Sequence, residues 1–248
     1  DYLRANTNFT DYDFEGSNLS IIIDALAYNT YTTAYNTNMA ANECFLDSAT
    51  LRENVVALAR NIGYVPRSRR SSRARISFLI DSLIETSTVT LNAGIVCNGA
   101  GDNTNYIFCI PEDITVPVNN GVAEFNNIEI FEGSFVSQDF TVDTSLFNQR
   151  YILDNSFIDT STIKVNVKPS SSSTSSVTYK QIDNIIGITS TSNSYLLQEI
   201  EDERYELIFG DNVIGRKLSN ANVITASYIV TDGREGNGAS EFSFIGNI

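Results

Sequence analysis

The sequence predicts an α+β fold, in which an N-terminal helical segment of two partner-bundling helices is followed by a predominantly antiparallel β-rich domain. Apolar residues recur at helical spacing up to about residue 66. From Arg73 onward, short β-branched and aromatic runs alternate with turn residues, as in antiparallel strands. The net charge of -14 divides in the same way, because residues 1–75 carry eight acidic and eight basic side chains. The acidic surplus therefore lies entirely in residues 76–248, and the two regions have different surroundings.

The first helix is predicted from a capping residue and an apolar pattern. Ser17 is a suitable N-cap, and four apolar residues follow at i, i+3, i+4 and i+7: Leu19, Ile22, Ile23 and Leu26. Three tyrosines continue at helical spacing, namely Tyr28, Tyr31 and Tyr35. They are interpreted as a packing face, and whether they pack within this chain or on another stays open. The many Asn and Thr residues that follow are poor helix formers in isolation.

The second helix has clearer signals at both ends. Thr50 and Glu53 have the spacing of a capping box. One apolar face is formed by Leu51, Val55, Leu58 and Ile62. Gly63 suits the position after the helix, and Pro66 lies just beyond it.

These patterns predict three regions: a helical segment (1–66), an Arg-rich connector (67–75) and an acidic β-rich domain (76–248), with a further C-terminal region expected after it. Asn119-Asn120-Gly121 predicts a hairpin turn, and the serine-rich tract 168–180 predicts a loop. The predicted strands are 73–80, 87–91, 106–110, 114–118, 121–125, 128–131, 135–142, 163–167, 177–179, 206–209 and 223–230.

Composition argues against most enzyme classes. Histidine is absent, which removes the usual catalytic triads and most zinc sites, so we expect no enzyme, no cofactor and no metal. The odd set of Cys44, Cys97 and Cys109 is interpreted as free, buried thiols. No run of residues is apolar for long enough to span a membrane, and the N-terminus lacks the features of a signal peptide. The chain lacks an initiator Met, which suggests a start inside a longer polypeptide.

An arginine cluster is the strongest charge feature, and its members are Arg67, Arg69, Arg70, Arg73 and Arg75. It is either a solvated connection that neutralises the chain's own acidic domain or a docking site for an acidic protein surface. Nucleic acid is the least favoured partner of the cluster, because binding to it would normally involve more than one short basic run. The acidic β-rich region would itself repel phosphates.

Two turn sequences and one acidic run have weak resemblances to functional sites. Asp102-Asn103 and Asp211-Asn212 fit Asx-turns better than calcium loops, because further acidic ligands are missing at the required spacing. The acidic residues at 199–203 are interpreted as a solvated connection rather than as paired carboxylates for glycoside hydrolysis.

Motifs near the end of the chain resemble the baseplate J-like family of contractile phage tails. A Phe-Gly-Asp turn is followed by a glycine, a strand that holds a tyrosine, and a glycine-rich exit. The matching scaffold positions are Phe209, Gly210, Asp211, Gly215, Tyr228, Gly233, Gly236 and Asn237. Asn212 replaces the family's usual second glycine, a mild change because Asn tolerates the left-handed conformation.

Residues 12–68 carry more specific motifs. DFEGS, D-x-LAYNT and LR-x-x-V followed by GY-x-P resemble the baseplate wedge proteins of T-even-like contractile-tailed phages. The two resemblances follow the family's order and bracket most of the chain, whereas the middle matches only in its strand-rich character. The known members are longer, so the resemblance implies that a C-terminal dimerisation region is missing here.

The resemblance implies a virion component that joins wedges into the inner ring around the tail hub and takes part in the change that triggers sheath contraction. The implied partners are a second copy of the chain, a helix-bundle wedge partner and a small sheath-adjacent wedge protein, with the hub nearby. No nucleic acid and no direct membrane binding are expected, and assembly would occur in the host cytoplasm. The candidate interface residues are Leu19, Ile22, Ile23, Leu26, Tyr28, Tyr31, Tyr35, Arg67, Arg69, Arg70 and Arg73.

Two other functions remain as alternatives. A tail-associated adhesin or carbohydrate-binding β-domain would need exposed aromatic platforms, and the absence of Trp argues against it. A tail-associated hydrolase would need a carboxylate pair, for which no clear candidate is visible.

Overall fold

The computed structural model of the chain describes residues 18–61, 68–81, 86–101, 104–183 and 186–248, apart from the side chains of residues 18, 19, 60 and 201. The chain divides into two compact units, a helical unit (1–64) and a β unit (65–248). Within the described residues, two helices precede sheets that are almost entirely antiparallel, so the predicted α+β class is confirmed.

Helix α1 spans Asn18–Glu43 and continues through the segment rich in Asn and Thr. Three threonine hydroxyls, those of Thr30, Thr32 and Thr37, each donate to the carbonyl four residues earlier at 2.8 or 2.9 Å. These hydroxyls share carbonyls of the helix ladder with the backbone amides, so they need no hydrogen-bond partner outside the helix.

Helix α2 spans Arg52–Asn61, and its start differs from the prediction. The first helical hydrogen bond runs from the Val55 amide to the Leu51 carbonyl, so Leu51 is the N-cap residue rather than Thr50. Glu43 takes the place of the predicted capping box: its carboxylate accepts the amides of Thr50 and Leu51 at 2.9 and 3.2 Å and the Thr50 hydroxyl at 2.6 Å. These bonds, above all the one from the Thr50 hydroxyl, lower the pKa of Glu43 to about 2. Ile62, Gly63 and Pro66 lie outside the described residues.

The described part of the β unit contains fourteen strands in two sheets. The strands are β1 (Arg73–Ile80), β2 (Thr88–Leu91), β3 (Gly94–Gly101), β4 (Thr104–Ile110), β5 (Ile114–Asn119), β6 (Val122–Glu132), β7 (Ser134–Thr141), β8 (Tyr151–Leu153), β9 (Ile158–Lys168), β10 (Val177–Gln181), β11 (Ser194–Glu199), β12 (Tyr205–Phe209), β13 (Val223–Val230) and β14 (Glu241–Phe244). The first sheet has the order β14-β3-β4-β6-β5-β2, with β1 paired to β6. The second has the order β7-β13-β9-β10-β11-β12-β8, in which only β10 and β11 run parallel.

Most predicted strands are present. The bounds of β1 and β13 agree with the prediction, whereas two predicted strands merge into β6. The hairpin between β5 and β6 is confirmed, because Asn120 and Gly121 both have positive φ, at 53° and 82°. Four strands were not predicted: β3, β8, β11 and β14. Arg73 and Arg75, which the prediction placed in the connector, belong to β1.

Each sheet encloses its own apolar core. The core of the first sheet includes Phe108 and Phe125, and that of the second includes Tyr195 and Tyr228. A smaller cluster joins the two sheets, because Cys109 and Phe131 of the first pack with Ile229 of the second. Burying a side chain such as Ile229 stabilises the fold by about 1.5–3 kcal/mol, so this cluster contributes to holding the two sheets together.

Gln138 bridges the two edge strands of the second sheet. From β7 its amide donates to the Ile152 carbonyl at 3.2 Å and to the Asp154 carboxylate at 2.9 Å, beside β8. Its carbonyl accepts the Asp154 amide and the Tyr228 hydroxyl, each at 3.2 Å. The second sheet is therefore nearly closed on itself, and its two edges are less available to other strands.

We expect Gln138→Ala to lower the free energy of unfolding by about 1–3 kcal/mol, because several hydrogen bonds between β7 and β8 are lost together. Gln181→Ala, at an exposed position at the end of β10, is the matched control and should change the value by less than about 0.5 kcal/mol. Urea denaturation measures both. Equal effects of the two substitutions would contradict the bridging role.

Candidate partner interface and scaffold motif

Helix α1 exposes large apolar side chains along its whole length. Tyr28 is 73% exposed and Tyr31 71%, and Ile21, Ile22, Leu26, Tyr35 and Met39 are exposed as well. Ile23 is half-buried, and the Leu19 side chain lies outside the described part of the chain. A helix that exposes this much aromatic surface would be costly in water unless another surface covered it.

These exposed residues form two separate stripes. One contains the aromatic residues with Ile21 and Met39 and is here called the tyrosine stripe. The other contains Ile22, Leu26, Thr30, Thr33, Thr37 and Ala40 and is here called the threonine stripe. Both follow spacings of mostly three and four residues, and at 100° per residue they lie on roughly opposite sides of the helix. The predicted interface residues Ile22 and Leu26 therefore do not share a face with the three tyrosines.

The arginine cluster contacts the chain's own acidic side chains. Arg73 donates to the Ser161 hydroxyl at 2.7 Å and lies 3.9 Å from the Asp159 carboxylate. Arg69 lies 3.9 Å from Glu203, and Arg75 lies 4.0 Å from Glu129. These contacts agree with the interpretation in which the cluster neutralises its own domain. Arg70 is exposed, and Arg67 lies outside the described residues.

Phe209 is the centre of an aromatic cluster in the second sheet. Its ring makes edge contacts with Tyr151 and Tyr179, at centroid distances of 5.6 and 5.7 Å, and a tilted contact with Tyr195 at 6.2 Å. The first residue of the scaffold motif therefore anchors its turn in the core.

The turn that follows Phe209 requires glycine at two positions. A Cβ on Gly210 would lie 2.2 Å from the backbone carbon of Gly215, which no side chain allows, and Gly215 has a φ of 78°. Asn212 has a φ of 73°, as expected for a residue that replaces glycine. The Asp211 carboxylate accepts the amides of Ile214 and Val213 at 2.9 Å, and these bonds lower its pKa. The predicted Asx-turn is confirmed here, whereas Asp102 and Asn103 lie outside the described residues.

Tyr228 has no exposed surface, and its single hydroxyl hydrogen is shared between Oδ1 of Asn155 at 2.7 Å and Oε1 of Gln138 at 3.2 Å. Burial raises the pKa of Tyr228 to about 12. This tyrosine therefore supports Gln138, the residue that brings together the edges of the second sheet.

The glycine-rich exit surrounds Glu132, which is only 3% exposed. The Thr231 hydroxyl donates to its carboxylate at 2.6 Å, and a Cβ on Gly236 would lie 2.6 Å from its Cγ. Burial, with the nearby charges of Asp232 and Glu235, raises the pKa of Glu132. Gly233 has a φ of 86°, and Asn237 is exposed, with its amide bonded to the Arg234 carbonyl at 3.1 Å.

The part of the chain that the structure describes offers no metal-binding cluster. It contains no group of three His, Cys, Asp or Glu side chains placed to hold a metal ion, and none of its helices could cross a membrane. All three cysteines are free, and Cys97 and Cys109 are buried as predicted. The prediction is wrong for Cys44, which directly follows α1 and is exposed. An open cleft of about 320 Å³ near Phe209 is lined by polar groups that already bond within the chain, such as Asp143 and Gln149.

Comparison with known proteins agrees with these features. Residues 1–64 match a family described as the helical domain of baseplate wedge protein gp6-like proteins. The chain is also 27% identical, over 262 aligned positions that cover 98% of it, to baseplate wedge protein gp6 of Enterobacteria phage T4. The chain spans 38% of the length of that relative. Together these matches support the resemblance to gp6-like baseplate wedge proteins that the motifs indicate.

We expect Gly210→Ala to lower the free energy of unfolding by about 3 kcal/mol, because the new methyl group displaces the Gly215 backbone. Gly187→Ala is the control: Gly187 has a φ of 85° but open space around it, so only backbone strain of about 1–2 kcal/mol is added. Urea denaturation measures both. If Gly210→Ala lowers the free energy of unfolding no more than Gly187→Ala does, the turn accommodates a Cβ at position 210 without displacing Gly215.

We expect Glu132→Gln to raise the melting temperature at neutral pH, because a neutral amide keeps the acceptor for Thr231 without a buried charge. A carboxyl whose pKa is raised by folding favours the folded state at low pH, and this advantage is lost as the pH rises through the folded-state pKa. The gain should therefore be largest near pH 7–8 and shrink toward pH 4.

Glu241→Gln, at an exposed site on β14, is the control and should show no such trend. Calorimetry across this pH range measures both variants. A gain that does not change with pH would contradict the role given to the Glu132 charge.

Proposed function

We propose that the chain is a non-enzymatic structural subunit of the baseplate wedge in a contractile phage tail. The exposed apolar surface of α1 is the observation that carries this proposal. It lies in the segment that matches the gp6-like helical domain, and its two stripes require covering surfaces from outside the helix. The similarity to T4 gp6 across 98% of the chain supports a virion location at the tail baseplate.

The two stripes suggest two kinds of neighbour. Spacings of three and four residues are those of helix–helix packing, in which side chains of one helix enter gaps on another. A partner helix on the tyrosine stripe would pack against large rings, which keep the two helix axes further apart. The small residues of the threonine stripe would let the axis of a partner helix lie closer to that of α1. A second copy of the chain and another wedge subunit are the partners proposed for these stripes.

The β unit would supply the rigid part of the wedge. Its two cores, its turns built around glycine and its nearly closed second sheet fix the shape of the unit, and they leave no described group with an evident chemical role. In the proposed assembly such units join neighbouring wedges into a ring around the hub, and the ring rearranges when the sheath contracts.

The test is co-expression with the other wedge proteins of the same phage, followed by affinity capture and quantitative mass spectrometry. Tyr28→Ser combined with Tyr35→Ser should reduce capture of wedge partners at least about tenfold, because truncated aromatic anchors typically cost more than about 1 kcal/mol each. Asn29→Ser combined with Asn36→Ser is the matched control, since it has the same spacing on the same helix, and it should leave capture unchanged.

Circular dichroism would verify that both double variants keep their helix content. Equal capture by the two double variants would overturn the assignment of the tyrosine stripe. Absence of the chain from purified tails of its phage would overturn the proposed function itself.

A further inference from the structure

The segment Ser68–Arg73, here called the strap, leads into β1 and lies against β9 and the Thr231–Gly233 turn. Its two halves are held differently. Ser71 and Ser72 are each 6% exposed, whereas Arg69 and Arg70 are exposed. The chain therefore passes from exposed to buried residues after Arg70, and Arg73, at the end of the strap, is exposed again.

The inner half is fixed by a dense set of hydrogen bonds. The amide and hydroxyl of Ser71 donate to the fully buried Asp159 carboxylate at 3.0 and 2.6 Å. The amide and hydroxyl of Ser72 donate to the Gly233 carbonyl at 3.1 and 2.9 Å, and its own carbonyl accepts the Glu132 amide at 2.8 Å. Bonds to a buried carboxylate are stronger than those between neutral groups, so this half opens rarely.

The contacts described for the outer half lie nearer to solvent. The Ser68 hydroxyl accepts the Thr160 amide at 3.0 Å and bonds the Thr160 hydroxyl at 2.8 Å. The Arg69 guanidinium lies 3.9 Å above the Phe157 ring and 3.9 Å from the Glu203 carboxylate. Exposed ion pairs and cation–π contacts are individually weak, so this half opens readily.

The residues that Arg69 contacts are held in an unfavourable backbone conformation. Phe157 has a φ of 63°, Glu203 has a φ of 56°, and the adjacent Asp202 has a φ of 60°. A bulky residue in the left-handed region is an outlier, and such residues persist only where the surroundings hold them there. The contacts of Arg69 are among those that surround Phe157 and Glu203 in this conformation.

We propose that the strap is a two-stage clamp: the outer half, Ser68 and Arg69, opens while the inner half, Ser71–Arg73, stays fastened. Opening at Ser68 and Arg69 would then leave β1 attached to its sheet. This inference deepens the rearrangement under the proposed function. The clamp is tested on the isolated chain, so its failure would not contradict the proposed baseplate function. Failure of the baseplate function would likewise not contradict the clamp.

Hydrogen exchange at single-amide resolution by NMR tests the clamp in the 248-residue chain. The Thr160 amide reports on the outer half, and the Ser71 and Ser72 amides report on the inner half. Arg69→Ala should accelerate exchange at Thr160 by about fivefold and leave Ser71 and Ser72 unchanged. Arg69→Lys should give a smaller acceleration, because it keeps the charge near Glu203 but loses the planar stack on Phe157.

Arg75→Ala is the matched control, since Arg75 also has a weak ion pair but lies on β1, and it should change none of the three amides. Ser71→Ala should accelerate the Ser72 amide, which tests the inner half without removing the buried carboxylate. If Arg69→Ala accelerates Ser71 and Ser72 as much as Thr160, the strap opens as one piece and the proposal fails. It also fails if Thr160 is unaffected.

Discussion

The hydrogen bonds from Ser71 to Asp159 fasten the start of the first sheet to a strand of the second. Asp159 has no exposed surface, so its charge must be balanced by donors from the chain itself. Ser71 and Ser161 supply four of these bonds, and Arg73 lies close by. The relative placement of the two sheets depends on this carboxylate, because its loss would leave buried polar groups without partners on both sides.

The two units differ in which side chains they bury and which they expose. The β unit encloses its apolar side chains and satisfies buried carboxylates such as Asp159 and Glu132 internally. Helix α1 does the reverse, since its polar hydroxyls are satisfied and its large apolar side chains face outward. The proposed structural role depends on this difference between a β unit with enclosed cores and a helix with an exposed apolar surface.

The sequence predicted the fold class, the two helices and most strands, because their periodicities are local. The sequence did not predict β3, because its glycines resemble those of a loop. Glycine is needed at position 99 because the Phe108 ring packs against it: a Cβ there would lie 2.7 Å from the ring. The sequence placed the N-cap of α2 at Thr50, whereas the Glu43 carboxylate binds the amides there. No local pattern predicts an acceptor seven residues earlier in the chain. The turn at Asp211 was foreseen from Asx chemistry, whereas Gln138, Glu132 and Asp159 matter only through residues distant in sequence.

The threonine hydroxyls of α1 have one further consequence. Thr30 and Thr37 direct their hydroxyl hydrogens at the helix backbone, so their methyl groups are the parts left to meet a neighbour. A surface composed of such residues scores as polar on a hydropathy scale yet behaves toward a second helix much like a row of alanines and valines. The same few side chains therefore direct their polar atoms at the helix backbone and their apolar atoms at the surface.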